Sequence, residues 1–187
     1  PSRTEHHTQA HFKELSLSRL FILDPTGMDN SVLHHYKTAK ICRAEEAHVD
    51  PIVQDMRAMD ALEVKCVGST PKDALLAGLN NDLYTFSVLD LEDNPLAMFG
   101  SGGIEGGPGY VWLLASDRFK LARKEFVRVS RLWVNTIIKP FTFCGNVVHK
   151  DNEQAIRWLK FCGATFIKEL QIDNQPFYEF VIINKSI

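Results

Sequence analysis

The order in which strand-like and helix-like stretches follow one another constrains the fold of this chain more than any other feature. From Ala39 onward, apolar residues alternate with polar ones in some stretches and recur every three or four residues in others. The resulting order is β-α-α-β-β-β-α-β-α-β-β. The strands of a three-stranded meander, a β-α-β unit and a final hairpin can form one sheet, with the helices packed on its faces. We therefore predict an α/β (α+β) fold, a mixed central sheet flanked by helices, in a single domain over residues 39–187.

Turn and capping residues separate the predicted elements. The predicted strands are Ala39–Arg43, Leu83–Leu89, Leu96–Gly100, Tyr110–Leu114, Phe141–Val148, Thr165–Ile172 and Phe177–Ile183. The predicted helices are Glu45–Cys66, Ala74–Leu79, Phe119–Ile138 and one that begins after Asn152 and ends at Gly163. The first helix is expected to bury Val53, Met56, Met59 and Leu62, and the long one Phe119, Ala122, Phe126, Val129, Trp133 and Ile137.

Residues 1–38 differ from the rest because they are rich in His, Ser and Thr and contain one short apolar cluster. That cluster is Leu20, Phe21, Ile22 and Leu23, and a turn signal follows it. Too little apolar surface is present for independent folding, so we predict an N-terminal arm. The apolar cluster is then expected to dock on its own domain or on another chain. The histidines of the arm are interpreted as solvated side chains, with metal binding as the alternative.

Charge and cysteine usage exclude several classes of protein. The formal net charge is -2, so no global positive field favours nucleic acid. The four cysteines lack the spacing of a zinc site, which predicts buried, reduced thiols and no metal. The sequence has no apolar run of transmembrane length and no signal-peptide pattern, which favours a cytoplasmic protein or one packaged from a cytoplasm.

The segment Asn152–Ala164 carries the most specific pattern in the chain. It has an Asn, an Ala three residues later, an aromatic-rich helix and a Gly near its end, after a strand and before a hairpin. This segment resembles the last conserved segment of the GNAT N-acetyltransferases. The resemblance implies a GNAT-like domain in which Asn152 lies near the pantetheine arm of acetyl-CoA. It also implies that the central strand, at Leu113 and Leu114, and the following Ser116 contact this cofactor.

Two elements of the GNAT pattern are missing from the sequence. The pyrophosphate-binding turn after the central strand is normally rich in glycine, but no glycine stands between Gly109 and Gly145. The tyrosine that protonates the leaving thiolate in the family is replaced by Leu159, seven residues after Asn152. Side chains would crowd the backbone where phosphate should approach a helix N-terminus. We therefore expect weak or no binding of acetyl-CoA and no cofactor, with His149 or Cys162 as alternative proton donors.

A narrower resemblance covers the second half of the chain. Pro95–Ala97, Val111–Asp117 and Arg157–Phe166 are similar to the small GNAT-like internal virion proteins of short-tailed phages. This similarity implies a non-catalytic virion or assembly component in the virion or the host bacterial cytoplasm, with other virion proteins as partners and self-association as an option. The alternative function is an acetyl-CoA-dependent N-acetyltransferase with an altered pyrophosphate loop.

The long predicted helix carries a basic face of Lys120, Arg123, Lys124, Arg128 and Arg131. A solvated helix face is the simplest interpretation. The functional alternative is a surface for an anionic partner, DNA or an acidic protein, in which Arg123, Lys124 and Arg128 join the apolar cluster of the arm as partner-binding residues. The glycine-rich stretch Gly100–Gly109 lacks phosphate-loop spacing and is predicted to be a hairpin connection.

Overall fold

The computed structural model describes residues 32–185, and its strands form one eight-stranded sheet. The strands are β1 His34–His35, β2 Lys40–Arg43, β3 Tyr84–Leu89, β4 Pro95–Gly103, β5 Pro108–Ala115, β6 Phe143–His149, β7 Thr165–Ile172 and β8 Gln175–Ile183. Their order across the sheet is β1-β2-β3-β4-β5-β6-β8-β7. Neighbouring strands are antiparallel except β5 and β6, which are parallel. The predicted mixed sheet is confirmed.

Within the described range 32–185, five α-helices pack on this sheet. They are α1 Val49–Gln54, α2 Ala58–Cys66, α3 Pro71–Asn81, α4 Arg123–Ile137 and α5 Glu153–Phe161. Helices α4 and α5 cover one face, where the larger apolar core includes Phe86, Phe99, Trp133 and Leu159. Helices α1 and α3 cover the other face over a smaller cluster that includes Ile52, Leu75 and Met98. The meander therefore has apolar residues on both faces, as expected for central strands.

The prediction of one helix over Glu45–Cys66 is wrong, because the chain leaves the helical conformation at Asp55–Arg57. There the backbone N–H of Arg57 donates to the carbonyl of Ala115 at 2.9 Å, and the N–H of Asp117 donates to the carbonyl of Asp55 at 2.8 Å. A short antiparallel bridge to the end of β5 thus replaces a turn of helix. The predicted buried stripe fails with it: Val53, Met56, Met59 and Leu62 are only partly buried, whereas Val49, Ile52, Asp60 and Val64 are buried.

The long helix begins later than predicted but buries the predicted face. Residues Asp117–Leu121 form a 3-10 turn, and α4 starts at Arg123. Its apolar stripe is confirmed: Phe119, Ala122, Phe126, Trp133 and Ile137 are buried, and Val129 packs against them. The aromatic rings of Phe99 and Trp133 meet edge to face, with their centroids 5.9 Å apart. This packing fixes α4 on the sheet beside β4.

The described part of the proposed arm, residues 32–38, contacts the domain. The hydroxyl of Tyr36 accepts a hydrogen bond from the indole nitrogen of Trp133 at 2.9 Å. The backbone N–H of Thr38 donates to Glu125 at 2.7 Å, and its hydroxyl does so at the same distance. The division at residue 38 stays a prediction. The apolar cluster Leu20–Leu23 lies outside the described residues.

Smaller predictions about thiols and turns are confirmed. All four cysteines are buried free thiols. Gly163 ends α5 with a φ of 92°, the left-handed conformation that glycine adopts without strain. The glycine-rich stretch belongs to a hairpin as predicted, but only Ile104–Gly107 connects the strands, because Gly100–Gly103 are part of β4 and Pro108 and Gly109 are part of β5.

Candidate functional site

The parallel strands β5 and β6 are paired over a short stretch and then separate. Their pairing runs from Pro108 opposite Phe143 to Tyr110 opposite Gly145. One residue further, the side-chain amide of Asn146 donates to the carbonyl of Val111 at 3.1 Å. A side chain thus replaces the next backbone rung, at the point where an opening between the two strands begins.

Two carboxylates of α2 span the wide end of this opening. The N–H of Ala115, the last residue of β5, donates to Oδ2 of Asp60 at 2.8 Å. The N–H of His149, the last residue of β6, donates to Oε1 of Glu63 at 2.8 Å. Asp60 and Glu63 are one helical turn apart and project on the same side. Helix α2 is therefore held against the ends of both strands.

A cavity of about 670 Å³ occupies the opening and is lined from both faces of the sheet. Its volume lies in the range of small-molecule binding sites. On one face it is lined by α4 and α5, including Arg123, Phe126, Trp158 and Leu159. On the other face α2 and α3 line it, together with Asp82 and Trp112. A ligand could therefore enter from either face and meet a second ligand between the strands.

The α4–α5 side of the cavity carries positive charge and an unused hydrogen-bond donor. Arg123 and Arg157 line it. Arg157 is paired with the exposed Glu153 at 3.1 Å, and Arg123, which has no carboxylate partner among the described residues, donates to Oε1 of Gln154 at 3.0 Å and joins the two helices. The indole nitrogen of Trp158 is buried and has no hydrogen-bond partner among the described residues. A buried donor without an acceptor is costly, so a ligand acceptor at this position would stabilise it.

The α2–α3 side carries the opposite charge. Three carboxylates, those of Asp60, Glu63 and Asp82, line it with one guanidinium, that of Arg57. Arg57 makes two hydrogen bonds to Asp60, at 2.6 and 3.0 Å, and these two charges offset each other. The excess negative charge therefore belongs to Glu63 and Asp82, and it favours a cationic ligand on this side.

Asp82 is held at the rim of the cavity by two residues of β5. Tyr110 and Trp112 each donate to one of its oxygens at 2.5 Å. Burial, followed by the hydrogen bond to Asp82 and its charge, raises the pKa of Tyr110 to about 12. Tyr110 is therefore a neutral donor at physiological pH and leaves the charge of Asp82 in place.

The backbone edge of β5 is open only over a short stretch. Val111 and Ala115 direct their backbone groups toward the opening, and Leu113 between them faces the same way because strand residues alternate. Beyond Leu113, the segment Asp55–Arg57 and Asp60 occupy the edge. The 3-10 turn Asp117–Leu121 stands where the resemblance places a glycine-rich phosphate turn.

Most of the residues predicted to bind a cofactor converge on the cavity. Leu113, Leu114 and Asn152 line it, with the two leucines on opposite faces of the sheet. Ser116 does not: it is buried, and its N–H and hydroxyl both donate to the carbonyl of Leu96, at 2.8 and 3.0 Å. The binding roles of the four residues stay predictions.

The proton donors considered for the leaving thiolate lie in different surroundings. Leu159 lines the cavity and is buried. The ring nitrogens of His149 are occupied, since Nδ1 accepts from the N–H of Asp151 at 3.1 Å and Nε2 contacts Gln175 at 3.3 Å. Cys162 is buried beside Ser130, and burial raises the pKa of its thiol to about 11. Neither His149 nor Cys162 lines the cavity, so neither replaces the tyrosine there.

Of the predicted partner-binding residues, the structure describes the three basic ones on α4 but not Leu20–Leu23. Arg123, Lys124 and Arg128 are all exposed on α4, and Arg123 also lines the cavity. Their role in partner binding stays a prediction. Within residues 32–185 no cluster of three His, Cys, Asp or Glu side chains could hold a metal ion. In the same range no helix combines the length and apolarity needed to cross a membrane.

Sequence reasoning missed Asp60, Glu63 and Asn146, which shape the opening. The missed signal was a pair of acidic residues one turn apart on the buried side of α2, directly before Val64. Burying two carboxylates is costly unless they are hydrogen-bonded, so an acidic pair on a buried helix face indicates a candidate functional site.

Comparisons with known proteins identify the fold. No protein-family model and no curated protein sequence matches the chain. Solved structures do match, among them a GNAT-family acetyltransferase from Bacillus anthracis, with a TM-score of 0.60 and 10% identity over 81% of this chain and 98% of that one. The ribosomal-protein-S5-alanine acetyltransferase of Vibrio fischeri matches with a TM-score of 0.58 and 14% identity, over 82% of this chain and 97% of that one. The spermidine N-acetyltransferase of Vibrio cholerae, in complex with CoA and spermine, matches with a TM-score of 0.59 and 14% identity, over 81% of this chain and 98% of that one.

The fold is therefore that of the GNAT proteins, as predicted. The hypothesis of a non-catalytic virion or assembly component is overturned, because the structural neighbours are acetyltransferases and one was solved with CoA. They give no support to the resemblance to internal virion proteins or to a virion location. The expectation that no cofactor binds is likewise unsupported.

Proposed function

We propose that this protein is an N-acyltransferase that transfers an acyl group from an acyl-CoA thioester to a cationic amine. The observation that carries this proposal is the cavity between β5 and β6, which has arginines on one face of the sheet and unpaired carboxylate charge on the other. An anionic donor and a cationic acceptor would then approach from opposite faces and meet between the strands. The acetyltransferases that share this fold support the same chemistry.

The residues on the α4–α5 side fit the pantetheine part of such a donor. The unused N–H of Trp158 offers a hydrogen bond to an amide carbonyl, and the open edge of β5 at Leu113 offers backbone groups to an amide chain. Arg123 and Arg157 would contact the phosphates, because they supply positive charge on this side and the N–H groups of Asp117 and Phe119 are already donated to Asp55 and Ser116. When bound, the donor supplies an acyl group activated as a thioester.

The residues on the α2–α3 side would orient the acceptor. Asp82, whose charge is not offset by a cation, stands at the rim, and Glu63 stands deeper, against the end of β6. A protonated amine is drawn toward these carboxylates before it reaches the opening. The buried side chains of Val111 and Leu159 keep the reacting region apolar, which strengthens electrostatic contacts there.

Thiol release from acetyl-CoA tests the proposal directly. The purified protein is mixed with acetyl-CoA and a panel of amines that includes spermidine and a peptide with N-terminal alanine, and free CoA is measured. We expect amine-dependent release, with the acylated amine identified by mass spectrometry. The absence of amine-dependent release over the whole panel, together with the absence of acetyl-CoA binding by calorimetry, would refute the proposal.

A further inference from the structure

Glu63 has one carboxylate oxygen that is held and one that is free. Its Oε1 accepts the N–H of His149 at 2.8 Å and the side-chain amide of Asn152 at 2.9 Å. Its Oε2 receives no hydrogen bond from the described residues, and the side chain lines the cavity. Two donors on one oxygen fix the orientation of the carboxylate and leave the second oxygen available to a ligand.

The other two carboxylates of the cavity differ in this respect. Both oxygens of Asp60 are occupied, by Arg57 and by the N–H of Ala115. Both oxygens of Asp82 are occupied, by Tyr110 and Trp112. Of the carboxylates that line the cavity, Glu63 is therefore the one whose second oxygen could take a proton without breaking a protein hydrogen bond.

The surroundings of Glu63 make it a stronger base than an exposed glutamate. Burial, opposed by its two hydrogen bonds, raises its pKa, the charge of Asp60 adds to this effect and that of Arg57 reduces it. From β6, the ring of His149 accepts the N–H of Asp151 at Nδ1. Asn152, next to α5, is uncharged. A raised pKa brings the carboxylate closer to the pH at which general bases are most efficient.

We propose that Glu63 is the general base of the acyl transfer and takes the first proton from the acceptor ammonium group through Oε2. This inference rests on the proposed function. The ammonium nitrogen loses that proton and gains a lone pair, which forms the new bond to the acyl carbon. The carbon–sulfur bond breaks and its electron pair leaves on sulfur. The second proton on nitrogen neutralises the thiolate, so the reaction balances without the tyrosine that Leu159 replaces.

The test compares Glu63→Gln with the wild-type protein. Glutamine keeps an oxygen that can accept from His149 and Asn152 but cannot take a proton at Oε2. We expect kcat for acetyl-CoA and spermidine, or for the best amine of the panel, to fall about 100-fold or more. The KM for acetyl-CoA should stay within about twofold, because Glu63 lies on the acceptor side. Glu169→Gln, which changes an exposed carboxylate paired with Lys150, is the matched control.

The pH profile and a second variant complete the test. The acidic limb of kcat/KM should disappear in Glu63→Gln, while Glu63→Asp, which restores a carboxylate, should recover part of kcat. Thermal unfolding of both variants checks that they are folded. If Glu63→Gln is folded and keeps more than a third of the wild-type kcat, the inference is wrong although the protein is an acyltransferase. If the wild type releases no CoA with any amine, the proposed function fails and this inference fails with it.

Discussion

Asp60 and Glu63, one turn apart on α2, each accept a backbone N–H from a different strand, Asp60 from β5 and Glu63 from β6. The two strands diverge at this end, and these carboxylates are what connects them there. Their position explains why a helix face that should be apolar carries two acids. It also makes the stability of the opening depend on a buried ion pair.

That ion pair joins Arg57 and Asp60, and it gives the first prediction. The Asp60 side chain is 2% exposed and that of Arg57 19%. Asp60→Ala should lower the free energy of unfolding by about 3–5 kcal/mol, because it strands the guanidinium and the N–H of Ala115. The double variant with Arg57→Ala should cost less than the sum of the two single variants, which a double-mutant cycle by urea unfolding measures.

The exposed pair of Glu153 and Arg157 provides the control for this cycle. Its side chains are 77% and 71% exposed and lie on one helix turn. Its coupling should be about 0.3–0.5 kcal/mol. Equal coupling in the two pairs would contradict the buried role assigned to Asp60.

Local sequence patterns predicted the parts of the fold that local forces determine. The α4 stripe through Phe126 and Trp133 follows from helical periodicity, and the cap at Asn152 from its side chain, which accepts the N–H of Ala155. The break at Asp55–Arg57 could not be predicted in this way. It is caused by pairing with the end of β5, which is distant in sequence.

The same distinction applies to the site. Leu113 and Asn152, which a family pattern singles out, do line the cavity, although their contact with a cofactor stays a prediction. Glu63 was not predicted, because its position depends on a hydrogen bond from the backbone N–H of His149, and a sequence pattern does not show which backbone groups will meet a side chain. The buried stripe predicted there, which included Met59 and Leu62, lies on a different side of α2 from the buried Asp60 and Val64, so the acidic pair was not expected to be buried.

Glu63 gives a prediction about stability that is separate from catalysis. Burial raises its pKa above the ordinary 4.5, so the folded protein binds this proton more tightly than the unfolded chain. The resulting stabilisation is complete below about pH 4.5 and is lost as the pH rises through the folded-state pKa. Glu63→Gln does not titrate, so its stability relative to wild type should increase over this window and then level off. Urea unfolding from about pH 4 to about pH 8 measures the difference; a constant difference would contradict the raised pKa.

Replacing Gly78 of α3 with alanine should destabilise the protein, although the same replacement usually stabilises a helix. An alanine inside a helix is normally about 1 kcal/mol more stable than glycine. Here a Cβ would overlap the indole ring of Trp112, which lines the cavity. We expect Gly78→Ala to lower the free energy of unfolding by about 1–3 kcal/mol. Gly107→Ala, where the nearest atoms are an ordinary 3.4 Å away, should change it by less than about 0.5 kcal/mol. A stabilising Gly78→Ala would show that Trp112 is free to move.

Trp133 anchors both α4 and the segment before β2. It is 2% exposed, packs on Phe86 and Phe99, and donates its indole N–H to Tyr36. Trp133→Ala should cost about 3–5 kcal/mol in chemical unfolding. The neighbouring Leu132 is 44% exposed, so Leu132→Ala should lower the free energy of unfolding by well under about 1 kcal/mol. Tyr36→Phe should cost about 1 kcal/mol by removing the hydrogen bond alone. Similar losses for Trp133→Ala and Leu132→Ala would place the wrong face of α4 in the core.

The last prediction concerns the arginines on the donor side. Arg123 and Arg157 line the cavity, while Arg128 is exposed on α4 outside it. If the first two contact phosphates, replacing each with alanine should weaken acetyl-CoA binding by about 0.2–1 kcal/mol, since exposed charges contribute modestly. The double variant should then bind up to about 30-fold more weakly, and the loss should shrink at high salt.

Acetyl-pantetheine, which has the thioester and amide arm but lacks the diphosphate, separates the two halves of the donor. Its affinity should be the same in the wild type and in the Arg123→Ala, Arg157→Ala double variant, because the contacts at Leu113 and Trp158 are unchanged. Affinities are measured by calorimetry, and by thermal shift, where a ligand at 100 times its Kd stabilises by about 2.7 kcal/mol. Arg128→Ala should leave both affinities unchanged. An equal loss for the two ligands, or a loss with Arg128→Ala as large as with Arg157→Ala, would mean that the phosphates are bound elsewhere on the protein.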